Sequence, residues 1–159
     1  MNAIRPILGL YKYIVIDTPP NAGPMLLNAI MASNYIIIPI EMSYQGASGL
    51  GALHKTITRT LAAYQRSNPP KIGYLPTMLE ARASDAYDVL EGLRERYKHL
   101  VFKPIHRNRV IQKANAAHMD VFMFRPPRSF EDGIESSEKA SKDYASFVEE
   151  VIRRTNSAK

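Results

Sequence analysis

Apolar residues fall in short bunches separated by proline, asparagine and glycine, and the spacing within the bunches changes along the chain. Tyr13-Ile14-Val15-Ile16 is a β-branched run without polar alternation, which predicts a strand buried on both faces in a parallel sheet. It stops at Asp17-Thr18-Pro19-Pro20, where two residues lacking an N–H close the ladder. Pro24 to Ser33 predicts a helix with Met25, Leu26, Ala29 and Ile30 on its apolar face. Asn34 breaks it, and Tyr35-Ile36-Ile37-Ile38 predicts a second buried strand ended by Pro39. Strand, helix and strand in that order form a right-handed βαβ unit. Before it, Ile4, Ile7, Leu8 and Leu10 predict the tail of a helix that packs on the sheet, with Gly9 as its terminator.

The longest periodic stretch runs from Gln45 to Arg66, where Leu50, Leu53, Ile57, Leu61 and Tyr64 recur at steps of three or four. Asn68-Pro69-Pro70 stops that helix, and Lys71 to Met78 predicts a third strand. Ser84 to Tyr97 predicts a helix with Ser84 as N-cap and Asp85 and Asp88 near its positive end. Val101-Phe102 to Ile105 predicts a short fourth strand, and Arg109 to Ala117 a short helix. Val121 to Phe124 reads as an edge strand or extended segment. A final helix is expected from about Ile134 to about Arg154, with Ala140, Tyr144, Phe147, Val148 and Val151 on one face and Ser157 to Lys159 frayed. Together these elements predict one α/β domain over residues 1–159, a three-layer, mostly parallel, doubly wound sheet with helices on both faces.

Composition narrows the chemistry. The 159 residues are one domain's worth and hold no cysteine, which removes disulfides, thiolate metal sites and a cysteine nucleophile. His54, His99, His106 and His118 are too scattered for a local metal motif, and no nucleophile-elbow spacing occurs. No apolar run is long enough to span a bilayer, and residues 1–10 are too short for a signal h-region, so a cytoplasmic protein is expected. The net charge of +6 favours polyanions. That charge concentrates at Lys103, Arg107, Arg109, Lys113, Arg125 and Arg128, with Asp120 the one acid in the interval. Arg109 and Lys113, four apart, share a helix face. A phosphate-binding surface and a solvated charged rim are both open on these residues.

Asp17 places a carboxylate at the carboxyl end of a parallel strand, where open α/β sheets bind ligands. Two readings stand: a Mg²⁺ ligand, direct or through water, or an acid that only caps the next turn.

The residues Tyr13-Ile-Val-Ile-Asp-Thr-Pro-Pro, the Asn21-Ala22-Gly23 turn and Leu26-Leu27-Asn28-Ala29 resemble the second-switch segment of the ParA/MinD group of deviant Walker ATPases. The ParA branch is the closer match. Ile38-Pro39-Ile40-Glu41 with Gly49-Leu50 resembles the family's strand and "ALEGL" helix start. Gly73 to Met78 resembles "GvLlTM", Ile105 to Asn108 resembles "IPRN", and Phe124 to Ser129 resembles "YDPRSRG". The resemblance runs from about residue 10 to about residue 153. It implies a P-loop NTPase fold, with Asp17 on the Mg²⁺ side, Thr18 beside it, and Thr77, Met78, Arg107 and Asn108 holding the adenine of ATP or ADP. It implies that Arg107, Arg109, Lys113, Arg125 and Arg128 grip DNA phosphates without reading sequence. It further implies a nucleotide-dependent dimer, a ParB-like partner and association with the nucleoid.

The chain departs from the pattern in places. His106 stands where the family has proline, and Arg125 where it has an acid. Neither G-x-x-x-x-G-K-S/T nor a deviant K-G-G loop occurs in the 159 residues. The sequence therefore resembles the C-terminal half or two-thirds of a ParA-like protein, expected to self-associate and to have negligible ATPase activity alone. The rival expectations are a non-enzymatic paralogue that binds DNA or a partition partner, and a MinD-like regulator. The last helix lacks a Lys-rich amphipathic tail, and Glu149 and Glu150 would be repelled by anionic lipid, so no membrane partner is expected.

Overall fold

A computed structural model describes residues 4–19, 23–126 and 133–156. Its elements are α1 (Pro24–Ala32), β1 (Tyr35–Glu41), α2 (Tyr44–Ser48), α3 (Leu50–Ala63), β2 (Lys71–Thr77), α4 (Ser84–Tyr97), α5 (Arg109–Ala116) and α6 (Gly133–Asn156). Short 3₁₀ turns cover Arg5–Ile7 and Lys98–Leu100. β1 and β2 pair side by side. The Lys71 N–H donates to the Asn34 oxygen (3.1 Å) and the Met42 N–H to the Thr77 oxygen (3.0 Å), so both strands advance together and the pair is parallel. The α/β class expected from sequence is what forms.

β1 runs through Pro39 instead of stopping there. N–H groups alternate sides along a strand, so with Met42 donating to β2, Pro39 three residues earlier faces away from it. A missing donor costs nothing on that side. Residues 101–106 extend the pairing beyond β2 as isolated parallel bridges. The Phe102 N–H donates to the Tyr74 oxygen (2.8 Å). A regular parallel ladder would next use residue 104, but that residue is proline, and Ile105 donates to the Pro76 oxygen instead (2.9 Å). The expected fourth strand is thus a paired but interrupted segment.

Three sequence expectations fail. Tyr13–Ile16 lies outside any ladder, with Val15 92% exposed. Val121–Phe124 is a turn, because the Asp120 carboxylate captures the N–H groups of Phe122 (2.8 Å) and Met123 (3.0 Å) that a strand would need. The expected helix from Gln45 to Arg66 divides at Gly49 into α2 and α3. Two smaller corrections concern the ends of elements. The first apolar stretch forms only the short 3₁₀ turn, leaving Leu8 and Leu10 exposed. Ala83 is the N-cap of α4, and the Ser84 hydroxyl donates to Asp85. In α2 the backbone of Gly46 passes Glu41 so closely that a Cβ would stand 2.5 Å from the Glu41 oxygen.

The chain divides into two compact units, residues 1–36 with 48–72, and residues 37–47 with 73–159. In the first, α1 packs on α3, and Arg66 donates to the carbonyls of Ile30, Met31 and Ser33 at the end of α1. Those are carbonyls that no intrahelical N–H reaches. In the second, Tyr74, Leu79, Leu90, Phe102 and Val110 are each 1% exposed or less and form the core. α5 and α6 pack together there, and Phe124 closes over Val110 and Ala114.

Candidate functional site

Two loops of the second unit meet at the carboxyl ends of β2 and the 101–106 segment. Met78 takes a left-handed conformation (φ 55°), which turns the chain out of β2 and leaves its side chain 52% exposed. Leu79 turns back into the core and ties the loops together. Its N–H donates to the Ile105 oxygen (3.2 Å), and its oxygen accepts from the Arg107 N–H (3.0 Å). The result is an open groove of about 570 Å³ lined by Glu80, Arg82, Arg107, Asn108, Arg109 and Gln112.

Each side chain expected here has a definite place. Thr77 is half-buried, with its carbonyl held by the Met42 N–H. Arg107 pairs with Glu80, and both side chains are about half exposed, 56% and 51%, so the pair contributes little to stability. Asn108 caps α5: its Oδ1 accepts from the Val110 N–H (2.8 Å) and from the Ser136 hydroxyl (3.0 Å). Its Nδ2 donates to the Ser136 oxygen (2.7 Å), so the amide is committed to joining α5 and α6. His106, which gave no partner from sequence, is held by Asp143 of α6. The same carboxylate oxygen lies 2.9 Å from His106 Nδ1 and accepts the His106 backbone N–H at 3.0 Å. A separation of 37 residues leaves no local signal for that pairing.

The basic residues divide. Arg109 is exposed at the first position of α5, where a cation opposes the positive end of the helix dipole. Lys113 is exposed one turn along the same helix. Arg125 folds back on its own turn, donating to the oxygens of Phe122 (2.9 Å) and Phe124 (3.3 Å). Arg128 lies outside the described residues. Asp17 and Thr18 belong to the first unit, Asp17 exposed and Thr18 half-buried.

Sequence reasoning missed a further constellation. Arg154 of α6 lies 4.0 Å over the Phe102 ring and donates to the Val101 oxygen (3.0 Å) and to Glu150 (2.6 Å). Phe147 meets Phe102 edge-on, with ring centroids 5.2 Å apart. The four-residue spacing of Glu150 and Arg154 was a legible sign of the ion pair. Their anchoring of α6 to residues 101–103 was not.

Comparison with known proteins fits this geometry. A family model described as an AAA domain matches residues 1–68. The chromosome partitioning protein ParA of Myxococcus xanthus is 36% identical over 107 residues, 65% of this chain and 36% of that protein. The sporulation initiation inhibitor protein Soj of Bacillus subtilis is 29% identical over 128 residues, 80% of this chain and 50% of that protein. The chain therefore spans half or less of the length of these relatives. Among solved structures, cobyrinic acid a,c-diamide synthase from Mycobacterium smegmatis, with bound ATP analog and magnesium, superposes with TM-score 0.58 at 30% identity. That match covers 68% of this chain and 44% of the synthase. Cyanothece McdA, in an ATP complex, superposes with TM-score 0.66 over 91% of this chain and 55% of its own, at 18% identity, a likeness of fold alone.

The fold is that of the P-loop NTPases, as expected from the sequence. Within it, the chain is similar to the chromosome partitioning proteins ParA and Soj over part of their length.

Proposed function

We propose that this chain serves DNA partition as a ParA-like protein: a nucleotide-dependent dimer that binds DNA non-specifically, associates with the cytoplasmic nucleoid and answers to a ParB-like partner. The observation that carries this reading is the groove between the 78–82 and 106–109 loops, with Arg82, Arg107 and Arg109 along it. It stands at the strand ends where open α/β sheets take ligands. Arg109 supports the reading further, since its place at a helix N-terminus works against stability and calls for another purpose.

The residues present suit part of the family's nucleotide. Among the described residues no group of three or more His, Asp or Glu could hold a metal unaided. Mg²⁺ needs no such cage, because one or two carboxylates with waters and substrate phosphates suffice, and exposed Asp17 supplies one. Thr18 would stand beside it. Thr77, Met78 and Arg107 would contact adenine, with Asn108 fixing the loop through its cap. The bound ion would neutralise phosphate charge. Since the 159 residues contain no phosphate loop, the isolated polypeptide should show negligible magnesium-dependent turnover.

DNA binding tests the reading. Gel shifts on unrelated duplexes should show affinities that do not depend on sequence and fall with salt, by a log–log slope of about −0.9 per phosphate neutralised. Arg109→Ala should make that slope shallower by about one unit without unfolding the chain, and Lys113→Ala, Arg125→Ala and Arg128→Ala should act the same way. No binding at low salt, or an unchanged slope in all four variants, would leave these residues as a solvated rim. Calorimetry with ATP and ADP separates the ATPase reading, which expects weak affinity, from a module that binds DNA alone, which expects none.

A further inference from the structure

At the other end of residues 101–106 lies a second groove, of about 430 Å³, lined by Arg94 and Lys98 from the end of α4, by Val101, Phe102 and Lys103, and by Glu150 of α6. Glu150 is the single acid among the lining residues, and its carboxylate is already taken. Arg154 donates to Oε1 through Nε (3.1 Å) and Nη2 (2.6 Å), and Arg153 stands 3.6 Å from the same oxygen. The Lys103 N–H donates to Oε2 (3.3 Å). The acid is therefore more than balanced before the three lining cations are counted. The side chains of Arg94, Lys98 and Lys103 are in exposed residues, and among the described residues no carboxylate lies within ion-pair distance of any of them.

Two features argue against three unrelated surface cations. Lys98 holds a strained backbone (φ 46°, ψ −121°), costly for a residue with a Cβ. It is locked there by its own N–H bond to the Arg94 oxygen and by the Val101 N–H bond to the Lys98 oxygen (3.2 Å). Cations also gain from the negative end of a helix, which accounts for Arg94 in the last turn of α4 and Lys98 at its C-cap. It does not account for Lys103, which is on no helix and lines the same groove.

We propose that this groove binds a phosphate group through Arg94, Lys98 and Lys103. A guanidinium can grip two phosphate oxygens at once, and the two ammonium groups add point charges around them. The proposal stands apart from the partition reading, since it shares no residue with the Arg107 groove. The phosphate can belong to a free oligophosphate or to a nucleic-acid backbone, and two measurements tell these apart.

Inorganic pyrophosphate is titrated into the full chain by calorimetry at low salt, and the same samples are used for gel shifts on a duplex. The double variant Lys98→Gln, Lys103→Gln should bind pyrophosphate at least tenfold more weakly, while Lys55→Gln, at an exposed position on α3, leaves that affinity within twofold. If pyrophosphate gives no heat but duplex affinity falls at least tenfold in the double variant, the phosphate is that of a nucleic-acid backbone and the site stands. The variant Lys98→Arg, Lys103→Arg, which keeps the charge, should retain binding and so separates loss of the site from loss of the fold. Less than a twofold change in both measurements for the Gln variant overturns the proposal.

Discussion

Two stretches of this chain are nearly the same sequence and end in opposite states. Tyr13-Ile14-Val15-Ile16 lies outside any ladder, with Val15 92% and Ile16 39% exposed. Tyr35-Ile36-Ile37-Ile38 is the first half of β1, with Ile38 5% exposed. β-propensity cannot separate them, because the residues are alike. What differs is the neighbour: β1 has β2 along one edge, whereas no described segment forms a ladder with residues 13–16. A strand is a property of a pair, and its apolar side chains are buried only where the ladder places them against a core.

The sharpest way to break this comparison is to attack the paired side. Phe102 is 1% exposed, donates its N–H to Tyr74, lies beneath the Arg154 guanidinium and meets Phe147 edge-on. Phe102→Ala should cost about 3–5 kcal/mol by urea unfolding, since the cavity would open inside a region held from three sides. A loss below about 1 kcal/mol would mean that residues 101–106 are no better held than residues 13–16. Next in size, Arg66→Met keeps much of the stem but removes the donors to three carbonyls at the end of α1. It should cost about 2 kcal/mol. Asn108→Ala should cost about 1–2 kcal/mol, as the α5 cap and its link to Ser136 go together.

These expectations also mark what the sequence made legible. The helices expected at 84–97, at 109–117 and from about 134 to about 154 form within two residues of those bounds (α4, α5, α6), whereas the longest periodic stretch, Gln45 to Arg66, divides at Gly49. The α/β class was legible from β-branched runs alternating with helices. The fate of Tyr13–Ile16 was not, since strand pairing is non-local. Nor was the Val121–Phe124 turn, where one side chain, Asp120, outweighs four apolar neighbours. In the candidate site the two loops could be read from their motifs. The partners that fix them, Glu80 for Arg107, Ser136 for Asn108 and Asp143 for His106, lie 27 to 37 residues away and left no local trace.

A smaller effect tests the buried side by pH. Burial raises the Tyr74 phenol to about 12, Tyr97 adds to the rise, and Arg96 opposes it. An unfolded tyrosine titrates near 10. Between the two values the folded chain holds a proton that the unfolded chain has released, so stability is complete below about pH 10 and falls as pH rises toward 12. Denaturant midpoints measured from pH 9 to 12 should decline more steeply for the parent than for Tyr74→Phe. Parallel declines would show that the Tyr74 hydroxyl is not held in the dry core.

The smallest expected effect bears most directly on the two matching runs. Ile38→Thr places a hydroxyl in the core beside β2 and should cost about 2 kcal/mol. Val15→Thr makes a similar change where the side chain is 92% exposed, and should shift stability by no more than about 0.5 kcal/mol. If Val15→Thr costs as much as Ile38→Thr, the run is buried in solution and the contrast fails. Repeating the unfolding at tenfold lower protein concentration then identifies what covers it. A cost that shrinks on dilution means that a second copy pairs with the run, as an exposed β-branched segment invites. A cost independent of concentration means that the chain's own residues supply the ladder.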